Sequence, residues 1–145
     1  DDDEIGGEAI RAGAWLCRRP ASLAQGEPGS MERVVAHFVM EQDIEDGDLI
    51  VLLEPTAPLR TPQDIAEIVE LMRSSDAPAA RTVSVDPLGC HGYYYRDAGL
   101  ASAFRMDKLQ TGCLFPPGTV LLHGGDGRAV DVDTMADLER ARALA

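Results

Sequence analysis

The stretch Asp48-Leu-Ile-Val-Leu-Leu-Glu-Pro-Thr-Ala-Pro-Leu-Arg-Thr-Pro-Gln-Asp64 decides the fold class of this chain. It opens with an unbroken apolar run over residues 49–53, which indicates a parallel β-strand buried on both faces. Pro55 and Pro58 then remove backbone donors, so the chain cannot continue in a central sheet. Thr61 as N-cap, followed by a proline and then by an acid at the third position, predicts the start of a helix.

The loop between this strand and this helix is a predicted ligand site. Ligands of α/β sheets bind where loops leave the carboxyl ends of parallel strands. Glu54, Thr56 and Arg60 lie on this loop. Thr56 is a hydrogen-bond donor, and Arg60 suits a carboxylate or a phosphate. In a second interpretation, Arg60 pairs with Asp64, four residues later on the helix.

The patterns on both sides of this stretch alternate between helix and strand. They predict an α/β three-layer sandwich with a mainly parallel sheet. The predicted helices are residues 4–12, residues 30–43, one from Thr61 to about residue 75, and one capped near Thr134. The predicted strands are residues 49–53, 80–85 and 129–132, with candidates at residues 14–17, at 93–96 and, as two short edge strands, within 114–122.

Bulk properties limit the possible functions. The chain has 145 residues, enough for one domain, and no apolar stretch approaches the ~20 residues of a membrane span. A net charge of −12 opposes binding to nucleic-acid polymers, which are themselves polyanions. Cys17, Cys90 and Cys113 lack metal-ligand spacing and are typical of thiols in a reducing compartment. We therefore expect a single cytoplasmic domain over residues 1–145 that binds neither nucleic-acid polymers nor membranes.

Residues 52–60, Leu-Leu-Glu-Pro-Thr-Ala-Pro-Leu-Arg, resemble the Leu-Gln-Pro-Thr-Ser-Pro-Leu-Arg signature of the acylneuraminate cytidylyltransferase family. Three more segments are similar to family motifs in the same order: Asp-Asp-Glu-Ile at 2–5, Arg-Pro-Ala-Ser-Leu-Ala at 19–24, and Val-Asp-Val-Asp-Thr at 130–134. The resemblance spans nearly the whole chain. It implies a Rossmann-like nucleotidyltransferase that transfers CMP from CTP to an acidic, sialic-acid-like sugar and releases pyrophosphate.

The resemblance also implies roles for individual residues. Asp131 and Asp133 would hold Mg²⁺ as the cofactor and act in catalysis together with Arg60. Glu54, Thr56 and Arg60 would bind the substrate.

Spacing alone allows a different interpretation of the last motif. Asp133 or Thr134 would cap the final helix, with Asp137 completing the cap, and Asp137 is predicted to cap in either case.

The chain departs from the family pattern at several points. Glu54 stands where the family has an amide, which adds a negative charge beside an anionic sugar. Leu-Gln-Thr-Gly at 109–112 replaces an Arg-x-Asn-Gly motif, and the region that forms the dimerising hairpin in the family is shortened. The glycine cluster at 124–127 is interpreted as a hairpin turn rather than a triphosphate loop. We therefore expect a domain that is truncated at its amino terminus and incomplete for catalysis. A homodimer stays open, since the dimerising region is shortened.

Two other functions stay open at this point. One is a non-catalytic α/β binding or interaction module derived from the same scaffold. The other is a related sugar nucleotidyltransferase with a different substrate. His91 and the Tyr93-Tyr94-Tyr95 run are interpreted as a bystander in a loop and as a strand, respectively, rather than as a catalytic base and a base-stacking platform.

Overall fold

A computed structural model describes residues 2–24, 30–87, 93–108, 113–125 and 127–145, with only the backbone described at residues 30, 86–87 and 93–96. Within these residues the chain forms an α/β fold that divides into two compact units. One unit is residues 1–45 with 111–113, and the other is residues 46–110 with 114–145. The predictions on Cys90, His91, residues 109–112 and the three tyrosine side chains lie outside the described residues.

The described residues of the first unit contain two α-helices. Helix α1 (Asp3–Arg11) is preceded by its N-cap Asp2, whose carboxylate accepts a hydrogen bond from the Ile5 amide at 2.9 Å. Helix α2 (Ser30–Glu41) confirms the second predicted helix. Residues 14–17, a candidate strand by sequence, form no strand. None of the described helices of the chain is long and apolar enough to cross a membrane.

The second unit is built on a four-stranded sheet in the order β1-β3-β2-β4. The strands are β1 (Leu49–Leu52), β2 (Ala79–Pro87), β3 (Tyr93–Arg105) and β4 (Val120–His123). Strand β3 runs antiparallel to both β1 and β2, whereas β2 and β4 are parallel. The α/β fold therefore has a mixed sheet.

The sheet differs from the predicted mainly parallel arrangement because β3 is inserted between β1 and β2. Strand β1 lies at the edge of the described sheet, and its four residues are half-buried rather than fully buried. A short apolar run carries no information on the direction of its neighbour, so the sequence could not reveal this insertion. The segments 93–96 and 100–105 belong to one strand, and residues 129–132 form no strand.

Helix α3 (Pro62–Ser74) packs on the sheet and supplies the core of the second unit. Thr61 is its N-cap, as predicted, in a reciprocal capping box with Asp64. Ile68 and Met72, one turn apart, are fully buried against the sheet. Their partners are small residues of β2 and β3, namely Ala80, Ala101 and Ala103. Helix α4 (Met135–Leu144) follows at the end of the unit.

Candidate functional site

The loop that leaves β1 contributes one wall of a cavity of about 410 Å³ in the second unit. Glu54 is half-buried and lines this cavity, as expected for a residue just after the carboxyl end of β1. Asp131, far along the chain, lines the same cavity. The structure thus brings together two of the residues that the sequence singled out. Thr56, Arg60 and Asp133 are not among the lining residues.

A second wall is formed by an irregularity in β3. The pairing of β2 with β3 shifts between Arg81 and Val83, so that Thr82 faces residues 98–101 of β3. At this point the buried Thr82 hydroxyl replaces backbone hydrogen bonds of the sheet. It accepts from the Ala101 amide at 3.1 Å and donates to the Ala101 carbonyl at 3.0 Å. Residues 97–99 then line the cavity. A β-bulge of this kind redirects side chains next to a site.

Arg60 binds backbone rather than a carboxylate. Its Nη2 donates to the Glu54 carbonyl at 2.5 Å, and its Nε donates to the Leu100 carbonyl. Burial lowers the pKa of Arg60, against the opposing effect of the Asp64 and Glu54 carboxylates. Arg60 therefore ties the first wall to the second while it remains a cation with further N–H donors.

Asp64 has a different partner from the one considered in the sequence. Its two carboxylate oxygens accept from Arg128 Nη1 and Nη2 at 2.7 and 2.9 Å, which is a bidentate ion pair. Arg128 Nη1 also donates to the Leu59 carbonyl at 3.1 Å. Sequence reasoning missed Arg128, because no local pattern links it to a residue so far away in the chain.

The Asp64 carboxyl is strongly biased towards its ionised form. Hydrogen bonds from Arg128 lower the pKa of Asp64 well below the usual range, and hydrogen bonds from Thr61 lower it further. Together they outweigh the effect of burial, which raises this pKa. The same contact raises the pKa of Arg128. The ion pair therefore persists at every pH near neutrality.

The carboxylates of the last motif are both exposed. Asp131 lines the cavity, whereas Asp133 does not, because residues 129–132 are not a strand that would place alternate side chains on one face. Thr134 and Asp137 form the capping box of α4, so the prediction that Asp137 caps this helix is confirmed. Asp133 is not the N-cap.

The carboxylates of Asp131 and Asp133 meet the requirements of a metal ion only in part. Among the described residues, no group of three or more His, Cys, Asp or Glu side chains is arranged to hold a metal ion. Mg²⁺ is commonly held by one or two carboxylates together with substrate phosphates and water. Asp131 and Asp133 match that demand for exposed oxygen ligands, provided that the phosphates complete the site.

The cavity is more acidic than basic. Its charged lining residues are Glu54, Asp97, Asp131 and Arg140. Asp97 forms an ion pair with Arg81, whose guanidinium lies 4.5 Å from the centroid of the Phe115 ring. The charge of Asp97 is therefore already compensated within the protein, which leaves Glu54 and Asp131 as the lining carboxylates to consider for a ligand.

The remaining candidates are not among the lining residues of the cavity. His37 Nε2 is 3.2 Å from the Arg18 carbonyl within the first unit, and Cys17 and Cys113 are half-buried free thiols. Gly124, Gly125 and Gly127 form the turn after β4. It is not a hairpin, because no strand follows it, and Asp126 lies outside the described residues.

No family model matches the chain, and no curated protein matches it. Among solved structures, it is similar to CMP:2-keto-3-deoxy-manno-octonic acid synthetase complexed with CTP. That likeness has a TM-score of 0.71 at 17% sequence identity and covers 99% of this chain and 77% of the other. This likeness shows the fold alone: the chain, with its mixed sheet, has the α/β fold of that synthetase.

Proposed function

We propose that this chain is a nucleotidyltransferase domain of the kind that transfers CMP from CTP to an acidic sugar and releases pyrophosphate. The single observation that carries the proposal is that Glu54 and Asp131 line one cavity in a fold like that of a CTP-bound CMP-sugar synthetase. The motifs around both residues are also those that resemble the cytidylyltransferase family.

The residues have complementary roles in this proposal. The sugar hydroxyl attacks the α-phosphorus of CTP in line, and charge develops on the leaving pyrophosphate. Thr56 donates a hydrogen bond to the ligand, and Arg60 supplies positive charge through the N–H donors that it does not use on Glu54 and Leu100. Glu54 accepts hydrogen bonds from sugar hydroxyls in the cavity.

The cofactor in this proposal is Mg²⁺, held by Asp131 and Asp133. When bound together with the triphosphate, this ion neutralises phosphate charge and aligns the reacting groups. Both aspartates are exposed, and helix capping is performed by Thr134 and Asp137 instead. Their carboxylates are therefore available to a ligand.

Glu54 gives the sharpest test of the substrate. A carboxylate ~6 Å from the carboxylate of a sugar acid opposes binding by ~1 kcal/mol in a partly screened site. We expect Glu54→Gln to tighten the binding of 2-keto-3-deoxy sugar acids about three- to tenfold, since the amide keeps the shape and removes the charge. Isothermal titration calorimetry with CTP and Mg²⁺ present measures this change.

The control for that titration is Glu70→Gln, which removes a carboxylate from the exposed face of α3. It makes the net charge less negative by the same amount and should leave the affinity unchanged. Binding of the sugar acid should also require CTP and Mg²⁺, which a simple binding module does not predict. If the wild-type chain shows no nucleotide-dependent binding of any sugar acid, the proposal is wrong.

One observation favours a second candidate within the same enzyme class. Among the described residues, three carboxylates and one arginine line the cavity, an arrangement that suits a sugar without an acidic group. A neutral sugar or sugar phosphate in the same titration distinguishes the two. Tighter binding of a neutral sugar to the wild-type chain than to Glu54→Gln would select the related nucleotidyltransferase.

A further inference from the structure

The Asp64–Arg128 ion pair joins the two segments that carry Glu54 and Asp131. Asp64 lies in the first turn of α3, directly after the loop that begins with Glu54. Arg128 lies three positions before Asp131. The pair therefore connects, through side chains, two walls of the cavity that are distant in sequence.

The segment from Arg128 to Val132 is held at both of its ends. At the first end, Arg128 donates to both oxygens of Asp64 and to the Leu59 carbonyl. At the other end, the Val132 amide donates to the Thr56 carbonyl at 2.9 Å. The residues between these two attachments, 129–131, all line the cavity.

The chemistry of the Asp64–Arg128 pair suits it to fixing the position of the Arg128–Val132 segment. Two parallel N–H···O bonds fix the direction of the guanidinium plane as well as its distance. The acceptor is itself immobilised, because Asp64 Oδ2 accepts from both the amide and the hydroxyl of Thr61 at 2.7 Å. The Asp64 side chain is only 5% exposed, so water competes little for its oxygens.

We propose that Asp64 and Arg128 are positioning residues that hold the Asp131 carboxylate opposite Glu54 across the cavity. They do not touch the ligand. The geometric part of this proposal stands by itself, and its consequence for ligand binding rests on the proposed function.

Amide hydrogen exchange, resolved by NMR, tests the geometric part without any ligand. In Asp64→Asn and in Arg128→Gln, we expect the Val132 amide to exchange at least about tenfold faster than in the wild type, because the segment opens locally. The Ala80 amide, in the core of the sheet, should change less than twofold and reports on global unfolding. Arg128→Lys keeps the charge but loses the bidentate geometry, and we expect an intermediate rate at Val132.

Asp76→Asn is the matched control. It removes the charge of an aspartate that pairs with Lys108 just after the other end of α3, where no described residue lines the cavity. It leaves the Arg128–Asp64 contact in place, so it should not change the exchange of Val132. Unchanged exchange at Val132 in the Asp64 and Arg128 variants would overturn the proposal. So would an equal loss of protection at Val132 and Ala80, since that result means a purely structural role.

Calorimetric titration with CTP, Mg²⁺ and a 2-keto-3-deoxy sugar acid tests the consequence for the site. We expect Arg128→Gln to bind the sugar acid about tenfold more weakly than the wild type, and Asp76→Asn to bind it equally well. If the variants open at Val132 but bind as the wild type does, the pair does not position the site and the proposal fails. If the wild-type chain binds nothing, the proposed function fails, and the exchange data alone decide the positioning role.

Discussion

Two helices of this chain begin with the same four-residue pattern and end up in different environments. Thr-Pro-Gln-Asp starts α3 at residue 61, and Thr-Met-Ala-Asp starts α4 at residue 134. The reciprocal bonds are nearly identical: the threonine hydroxyl lies 2.7 Å from the aspartate oxygen in both. The local pattern therefore determines the cap in each case.

The two aspartates differ in their exposure and in the hydrogen bonds that they make outside their own helix. Asp64 is 4% exposed and accepts two hydrogen bonds from Arg128. Asp137 is more exposed, and the largest influence on its pKa is the hydrogen bond from Thr134. Both carboxyl pKa values are lowered, but only that of Asp64 is lowered mainly by a residue from another segment. One motif thus has a local role at α4 and an additional tertiary role at α3.

Replacing the two aspartates should separate these roles most strongly. Asp64→Ala removes the cap and leaves Arg128 without its partner, and we expect a loss of about 1.5–3 kcal/mol in the free energy of unfolding. Asp137→Ala removes a cap alone and should cost clearly less. Urea denaturation followed by circular dichroism measures both, and similar losses for the two variants would contradict the tertiary role of Asp64.

The turn that delivers Arg128 to Asp64 offers the next test. A Cβ at Gly125 would overlap Leu100 Cδ1, and this glycine has a φ of 74°. Gly127 has a φ of 75° but no neighbour within 4 Å of such a Cβ.

We expect Gly125→Ala to destabilise the fold by about 1–3 kcal/mol through steric overlap added to backbone strain. Gly127→Ala carries the strain alone and should cost less. Thermal melting of the two variants makes the comparison. Equal melting temperatures would show that the Leu100 side chain moves aside without lowering the free energy of unfolding.

Acid should remove the contribution that the Asp64 charge makes to stability. The pKa of Asp64 is depressed in the folded state, so its contribution to stability is complete above the unfolded value of ~3.9 and declines as the pH falls towards the folded value. The stability difference between the wild type and Asp64→Asn should therefore be largest at pH 6–7 and shrink as the pH drops below ~4. Urea midpoints at several pH values measure it. A difference that stays constant down to pH 3 would mean that the charge of Asp64 adds nothing.

The sequence predicts those features that depend on neighbouring residues. Both capping boxes, the helix after Thr61 and the existence of β1 follow from short patterns, and the structure confirms them. The position of β3 between β1 and β2 depends on long-range pairing, which an apolar run does not encode.

The same division applies to the candidate site. The position of Glu54 just after a strand predicts that it lies at a ligand site, and Glu54 lines the cavity. No local pattern indicates Arg128, because its partner lies in another segment. Residues 129–132 form no strand, and Asp133 is not among the lining residues of the cavity. The roles of Glu54, Thr56, Arg60, Asp131 and Asp133 in binding and catalysis stay predictions.

The two threonines should give the smallest effects, and the most nearly equal ones. Each hydroxyl donates to the aspartate of its own box and accepts from the same aspartate's amide, at 3.4 Å for Thr61 and 3.3 Å for Thr134. Since neither hydroxyl reaches a distant segment, Thr61→Ala and Thr134→Ala should each lower the free energy of unfolding by ~0.5–1 kcal/mol. Urea denaturation at neutral pH compares them under identical conditions. A much larger loss for Thr61→Ala would mean that its hydroxyl is needed to keep Asp64 in place for Arg128, so that the local and the tertiary roles of that box would not be separable.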